Sequence, residues 1–494
     1  MTALFKNRVV RNTVSLFAGQ SGAQVLALVF IAYLSSKLSK DDYGSLCFAL
    51  NFAVVLNVLS EYGMWTLLVR NMARDLSTAR SYFWNSVVLK PVMAFIAAAV
   101  GAVVLLLFYD QPGQRELRVL SCLAGGWLLF NAWYFSAAAV FRAFQEHHLD
   151  GTLSFAGKLL YVGAGIVVVL VKPDVRWIAL LFTLAMAVQC GMAFVLVVKR
   201  HAPFSFTFST YQQKYLVRNA WLFFTINAFT TLHLKFGHLV IGAKFPASEV
   251  GFYNIASMLV LVPIVLANAF VQSMYPVLSE CHDKGDSEFW PKVRLGMRWL
   301  GALASPVIIF MTIDGRRIID TVFPGYGAAL VPMQILLWGL GLDFFNPFSG
   351  HVLYVMDQQR KVIVLTGICV AANIVANLAL VPLYGIVGAS CAMVISLSIM
   401  FWGYAFLLRR WLPLRRFFSA ILMPLLIAVL LAPLPYFLSG HVNFVVNGLL
   451  YCAVYTAVLF ATRTLRWADT RVFGGARAVP VPAPADETIA QTTE

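Results

Sequence analysis

The 494-residue chain is 60% hydrophobic and only 12% charged, with a mean hydropathy of +0.78, which excludes a water-covered globule and makes it an integral membrane protein. Its net charge of +15 would suit a nucleic-acid binder, but the positive-inside rule places most of the 37 Lys and Arg residues on cytoplasmic segments, so the charge argues for topology and anionic headgroups and against nucleic acid. The seven Cys are scattered through apolar runs with no C-x-x-C, implying neither a disulfide framework nor a metal site.

Lys6, Arg8 and Arg11 precede the first apolar run as in a signal peptide, but the run is too long and lacks a small-x-small cleavage site, so it stays as the first helix. Residues 11–74 read as a transmembrane hairpin, with a polar break at 37–42 and a second run closing on Arg70 and Arg74. Continuing along the chain, apolar runs long enough to cross a ~30 Å core give an all-α integral membrane protein of about 14 transmembrane helices. They lie near 13–35, 44–67, 85–108, 118–141, 152–171, 176–198, 218–242, 250–275, 293–313, 328–354, 362–382, 386–408, 415–437 and 444–462. Trp65, Trp84, Trp177, Trp221, Trp290, Trp411 and Trp467 fall near span ends and read as interfacial anchors.

The hairpin recurs. A shift of 207 positions (218 minus 11) carries Arg11 onto Arg218, Lys37 onto Lys244, Asp42 onto Glu249 and Gly44 onto Gly251. Polar Gln20 and Gln24 fall on Asn227 and Thr231. Six spans per copy is an even number, so the copies share one orientation and form two parallel lobes, 1–198 and 218–410. Residues 199–217, with Pro203 and the run FSFTFST, form a cytoplasmic linker. Helices 13 and 14 (411–466) lie outside the duplication, and the Ala- and Pro-rich tail 467–494 reads as disordered, leaving both termini cytoplasmic. A weaker echo pairs FRAFQEHHL with YVMDQQRKV, setting Phe141 against Tyr354 and Gln145 against Gln358.

Ionisable side chains within the bilayer are expensive and therefore functional candidates. Asn227, Thr231, Lys235 and His238 line one face of the seventh span, a polar stripe suited to a lumen; Lys235 could otherwise snorkel to the outer headgroups. Lys158 lies deep in the fifth span and suits an anionic phosphate. Lys90 and Arg142 sit near cytoplasmic ends and read as headgroup contacts. Glu61 in the second span and Asp343 in the tenth, beside the helix breakers Pro347 and Gly350, are carboxylates suited to a coupling H⁺ or Na⁺, or to a buried ion pair with Lys158 or Lys235.

LSKDDYG with LLVRNMAR, then FPASEVGFYNIASMLVLVPIVLANAFVQSMYPVLSE, then NIVANLALVPLYGIVGASCAMVIS, together resemble the polysaccharide-synthesis branch of the multidrug/oligosaccharidyl-lipid/polysaccharide (MOP) exporter superfamily. The resemblance covers nearly the whole chain and implies a MATE-like fold and a bacterial inner-membrane flippase. Its cargo would be undecaprenyl-diphosphate-linked oligosaccharide repeat units for O-antigen, capsule or exopolysaccharide. It further implies working partners such as a polysaccharide polymerase and chain-length proteins, and no cofactor beyond a coupling ion. The matching motifs are architectural and transfer no substrate-contacting residue. On the residues themselves, Lys158, Lys235, His238, Gln20, Gln24, Asn227 and Thr231 are the candidate contacts for diphosphate and sugar, and Glu61 and Asp343 for the ion. The alternatives are a peptidoglycan lipid-precursor flippase and an ion-coupled drug or cation exporter of the same superfamily. An enzyme is disfavoured because no extramembrane loop is large enough to carry catalytic groups.

Overall fold

The structure, a computed structural model, describes residues 22, 26–110, 112–203, 208–285 and 287–466. Gln20, Gln24, the basic start, part of the FSFTFST run and the tail from Trp467 lie outside them. The described chain is helical: α1 (Leu26–Lys37), α2 (Lys40–Glu61), α3 (Met64–Arg74), α4 (Ala79–Phe108), α5 (Arg115–Gly125), α6 (Trp127–Ala143), α7 (His147–Val171), α8 (Val175–Arg200) and α9 (Thr210–Lys244). It continues with α10 (Ala247–Asp283), α11 (Phe289–Val322), α12 (Leu330–Asp343), α13 (Asn346–Val355), α14 (Gln359–Leu408), α15 (Leu414–Leu430), α16 (Pro433–Leu438) and α17 (Phe444–Ala461).

Eleven segments among the described residues are long and apolar enough to cross a membrane. One of them, α14, has 50 residues and turns at Gly385 (φ 56°, ψ −133°). Its arms fold back on each other, since Asn373 Nδ2 donates to Ser396 Oγ at 3.1 Å and Cys369 Sγ donates to the Ser396 carbonyl at 3.1 Å, pairs that bracket the turn. With α14 crossing twice, the 35-residue α9 crossing once and α1 belonging to the first span, the fold accommodates the fourteen expected crossings.

The chain divides into two compact units. The first gathers Met1–Val262, Met311–Leu342 and Arg360–Gly403; one core in it packs Met64, Leu67, Leu68 and Met72 of α3 against Phe83 of α4, Phe141 of α6, Ala193 of α8 and Leu216 of α9. The second gathers Pro263–Phe310, Asp343–Gln359 and Tyr404–Glu494. In it, Tyr451 and Tyr455 of α17 are buried, their hydroxyls donating to the carbonyls of Ala428 (2.8 Å) and Pro424 (3.2 Å) on α15, which satisfies polar groups that lipid could not.

Helix boundaries reproduce the 207-residue repeat of the sequence. α1 ends at Lys37 and α9 at Lys244; α2 starts at Lys40 and α10 at Ala247. The two turns meet within the first unit. Asp41 Oδ1 accepts from Ser248 N at 3.2 Å, and the equivalent glycines Gly44 and Gly251 lie against each other. A Cβ on Gly44 would sit 1.8 Å from the Ala247 carbonyl oxygen, so only hydrogen fits at this crossing. The weaker echo also holds, with a shift of one residue. Glu146 N donates to Phe141 O and Gln358 N to Leu353 O, and the left-handed residues are Gln145 (φ 57°) and Asp357 (φ 58°), so Gln145 matches Asp357 and not Gln358.

Two further expectations change. The linker 199–217 is shorter than expected: α8 runs to Arg200, and α9 begins at Thr210, where Ser209 accepts from Gln212 N at 3.3 Å and caps the helix. Trp65 is not an interfacial anchor but packs inside the first unit, against Phe135 and under the guanidinium of Arg142 at 4.5 Å.

Candidate functional site

The second span is discontinuous. α2 stops at Glu61, Tyr62 (φ 51°) and Gly63 (φ 67°) are left-handed, and α3 restarts at Met64. Gly63 is required twice over: its φ disfavours any side chain, and a Cβ there would lie 2.4 Å from the Phe224 nitrogen of α9. The break exposes the first amides of α3, and Glu61 answers one of them, its Oε1 accepting from Trp65 N.

Lys90 of α4 is fully buried beside it, with Nζ 3.7 Å from Glu61 Oε1 and donating at 2.7 Å to the Ala132 carbonyl of α6. Glu61 therefore has its ion pair, but with Lys90 and not with Lys158 or Lys235. Lys90 is no headgroup contact. The polar face of α4 that carries Asn85, Ser86 and Lys90 is buried, while Val92 and Phe95 on the other side are exposed. Ser86 and Lys90 stand four apart in an apolar run, a signal of one polar face that could have revealed this partner. Arg142 is likewise drawn inward. It donates to Asp150 Oδ2 from Nε at 3.0 Å and from a terminal guanidinium nitrogen at 2.9 Å, and the Tyr134 hydroxyl donates to Asp150 Oδ1 at 2.8 Å.

Lys158 of α7 is half-buried and makes no ion pair among the described residues. It lines a cavity of about 170 Å³ enclosed by α1, α2, α7, α8 and α10. Phe30, Tyr161 and Phe182 form an aromatic wall, and Tyr43, Asn51 and Asn254 supply polar groups. Asn51 Nδ2 donates to the Cys47 carbonyl (2.8 Å) and to Asn254 Oδ1 (3.2 Å), and Asn254 Nδ2 donates to the Tyr43 hydroxyl (3.4 Å). Lys235 of α9 is half-buried and it too has no ion pair among the described residues.

The α9 stripe is graded. Asn227 is exposed, Thr231 and Lys235 are half-buried, and His238 is 2% exposed. His238 packs edge-on to Tyr253 with centroids 4.7 Å apart, and neither of its ring nitrogens has a hydrogen-bond partner among the described residues. Asp343 belongs to the second unit and ends α12 where the tenth span breaks, at Phe344 and Phe345 before Pro347; it is half-buried and hydrogen-bonded to Asn346. Of the expected site residues, Lys235 and His238 lie on the α9 stripe, Lys158 lines the cavity, and Glu61 belongs to the α2–α3 break.

Charges held inside a bundle of crossing and broken helices define a multi-pass membrane protein whose polar chemistry is turned away from lipid. The chain belongs to the polysaccharide biosynthesis protein family, whose model matches residues 9–282. It is 23% identical over 169 residues to "Probable flippase AglR" of Haloferax volcanii, covering 33% of this chain and 35% of that protein, so the match spans about a third of that relative's length. Among solved structures it is similar to the lipid II flippase MurJ in an inward closed conformation, at 11% identity and TM-score 0.71 over 92% of this chain and 99% of that one. It is also similar to the inward-facing conformation of a multidrug resistance MATE family transporter of the MOP superfamily, at 14% identity and TM-score 0.61 over 77% and 93%. At these identities the likeness establishes the MATE- and MurJ-type fold.

Proposed function

We propose that the protein is a flippase that carries undecaprenyl-diphosphate-linked oligosaccharide repeat units from the cytoplasmic to the periplasmic face of the bacterial inner membrane. Transport would be by alternating access, in the service of O-antigen, capsule or exopolysaccharide assembly. Family membership supports the pathway, and the relatives' flippase names support a transporter over an enzyme. The observation that carries the reading is that Lys158, on the cavity wall, and Lys235, on the α9 stripe, are half-buried lysines from different repeats without carboxylate partners among the described residues. An ammonium is a point charge that can follow a moving phosphate, whereas a bidentate Arg fixes one geometry. In this reading both lysines attract the diphosphate, while Asn227, Thr231 and His238, with Gln20 and Gln24, are the candidate sugar contacts. Asp343 or Glu61 binds the coupling H⁺ or Na⁺, both termini are cytoplasmic, and polymerase and chain-length proteins act downstream.

The test is deletion of the gene followed by analysis of lipid-linked intermediates and surface polysaccharide, with complementation by Lys158→Ala and Lys235→Ala. The expected result is accumulated intermediate, lost polysaccharide, and reduced rescue by either Ala variant at normal abundance. Full rescue by both would refute the cationic contact. Loss of cell-wall precursor transport in place of polysaccharide would favour a peptidoglycan-precursor flippase, the reading supported by the MurJ likeness.

A further inference from the structure

The cavity beside Lys158 is too small for a whole repeat unit. Ligand-sized sites run to roughly 300–1,000 Å³, whereas a ~150 Å³ cavity takes one benzene ring. At about 170 Å³ this one has room for a single six-membered ring.

Its wall suits such a ring. Tyr161 stands edge-on to Phe30 (centroids 5.1 Å, 79°) and to Phe182 (5.5 Å, 71°), so the three rings form a corner offering both faces and edges. The CH face of a pyranose is apolar and slightly positive, which matches the negative face of an aromatic ring. Both donors of the Asn51 amide are occupied by Cys47 and Asn254, leaving its oxygen as an acceptor for a hydroxyl in the cavity wall. Lys158 adds a positive charge with no carboxylate opposite it among the described residues. In a mostly apolar enclosure an uncompensated ammonium favours an anion strongly.

We propose that this cavity is a subsite for one pyranose ring bearing an anionic group. The ring packs on Tyr161 and Phe182, a ring hydroxyl donates to Asn51, and the anion meets Lys158. The proposal rests on the flippase reading and adds to it the substrate class: the anion is either the ring's own carboxylate, as in a uronic acid, or the phosphate joining the ring to its carrier. The residues that read the ring come from the first half of the chain, so the sugar and the Lys235 charge are held by different repeats.

The experiment is saturation-transfer NMR on the full-length protein in lipid nanodiscs, with glucuronate, glucose 1-phosphate and glucose as separate probes at equal millimolar concentration. The expected result is several-fold more transfer to at least one acidic probe than to glucose. Lys158→Met should lower that signal to the glucose level, and Tyr161→Leu should lower transfer to the ring protons of every probe. Transfer to glucuronate alone assigns the carboxylate, and to glucose 1-phosphate alone the linking phosphate. Equal transfer to all three, no transfer to either acid, or unchanged transfer in a folded Lys158→Met protein overturns the proposal. The wild-type comparison decides the matter even where a variant fails to fold. Because the readout is binding, its failure leaves the flippase reading to the deletion strain's intermediates.

Discussion

At the scale of single residues, the Glu61–Lys90 pair shows how a helix break recruits charge. Lys90 has 0% exposed side chain and Glu61 8%, so removing one partner strands the other in a medium that cannot solvate it. Lys90→Met should therefore destabilise the protein by about 3–5 kcal/mol. Glu61→Gln/Lys90→Met should recover part of that loss, a coupling that a double-mutant cycle of thermal unfolding in detergent would measure. Additive effects would mean that the two groups do not interact. If the proposed ion coupling uses a carboxylate, Asp343, hydrogen-bonded to Asn346, is the expected one, because Glu61 is already paired with Lys90. Asp343→Asn should alter the pH or Na⁺ dependence of transport more than Glu61→Gln, and equal, unchanged dependence in both would remove carboxylates from the coupling step. That Asn227, Thr231, Lys235 and His238 share one face of α9 was legible in the sequence because helical spacing fixes faces. The inward roles of Lys90 and Arg142 were not, because position along a span does not say which face neighbouring helices cover.

Among the elements, the hairpin tips illustrate what a repeat can and cannot announce. Its register was readable because turn residues recur where turns recur, and helix ends at Lys37 and Lys244 follow it. The interruption of the second span was hidden. Gly63 is forced by the backbone of α9 at Phe223 and Phe224, a neighbour distant in sequence, and the corresponding stretch of α10 is continuous. The early start of α9 was open to view: Ser209 ahead of TYQQ is a helix cap. The tightest crossing makes the clearest prediction. Gly44→Ala places its methyl against the Ala247 carbonyl at 1.8 Å, backbone that no rotamer change relieves. It should cost about 1–3 kcal/mol or more, seen as a lower melting temperature and lower abundance, whereas Gly113→Ala, with open space around its Cβ position, should behave as wild type.

On the scale of the whole molecule, alternating access requires that contacts closing one side separate during the cycle. In the proposed transport cycle, Asp41 and Ser248, joined at 3.2 Å between equivalent turns, are expected to be such a contact. In a background with the seven free cysteines replaced, Asp41→Cys/Ser248→Cys linked by oxidation or a short thiol crosslinker should block transport, and reduction should restore it. Transport by the linked protein at the unlinked rate would show that these turns stay together throughout. The fold class and the number of crossings were legible because bilayer thickness sets helix length. The division into two units assembled from separated stretches of chain was not, since hydropathy records depth and says little about neighbours.

Gly44 and Gly251 are copies of one position, and they touch. A residue packed on its own counterpart is the signature of a self-complementary interface, the kind by which two identical chains associate about a two-fold axis. Here the two halves of one polypeptide meet in that way. Each half is then the other's selective environment at this point. Bulk gained at Gly44 meets the Ala247 carbonyl, whereas bulk at Gly251 meets the Tyr43 ring at 3.0 Å, so Gly44 is the stricter of the two positions.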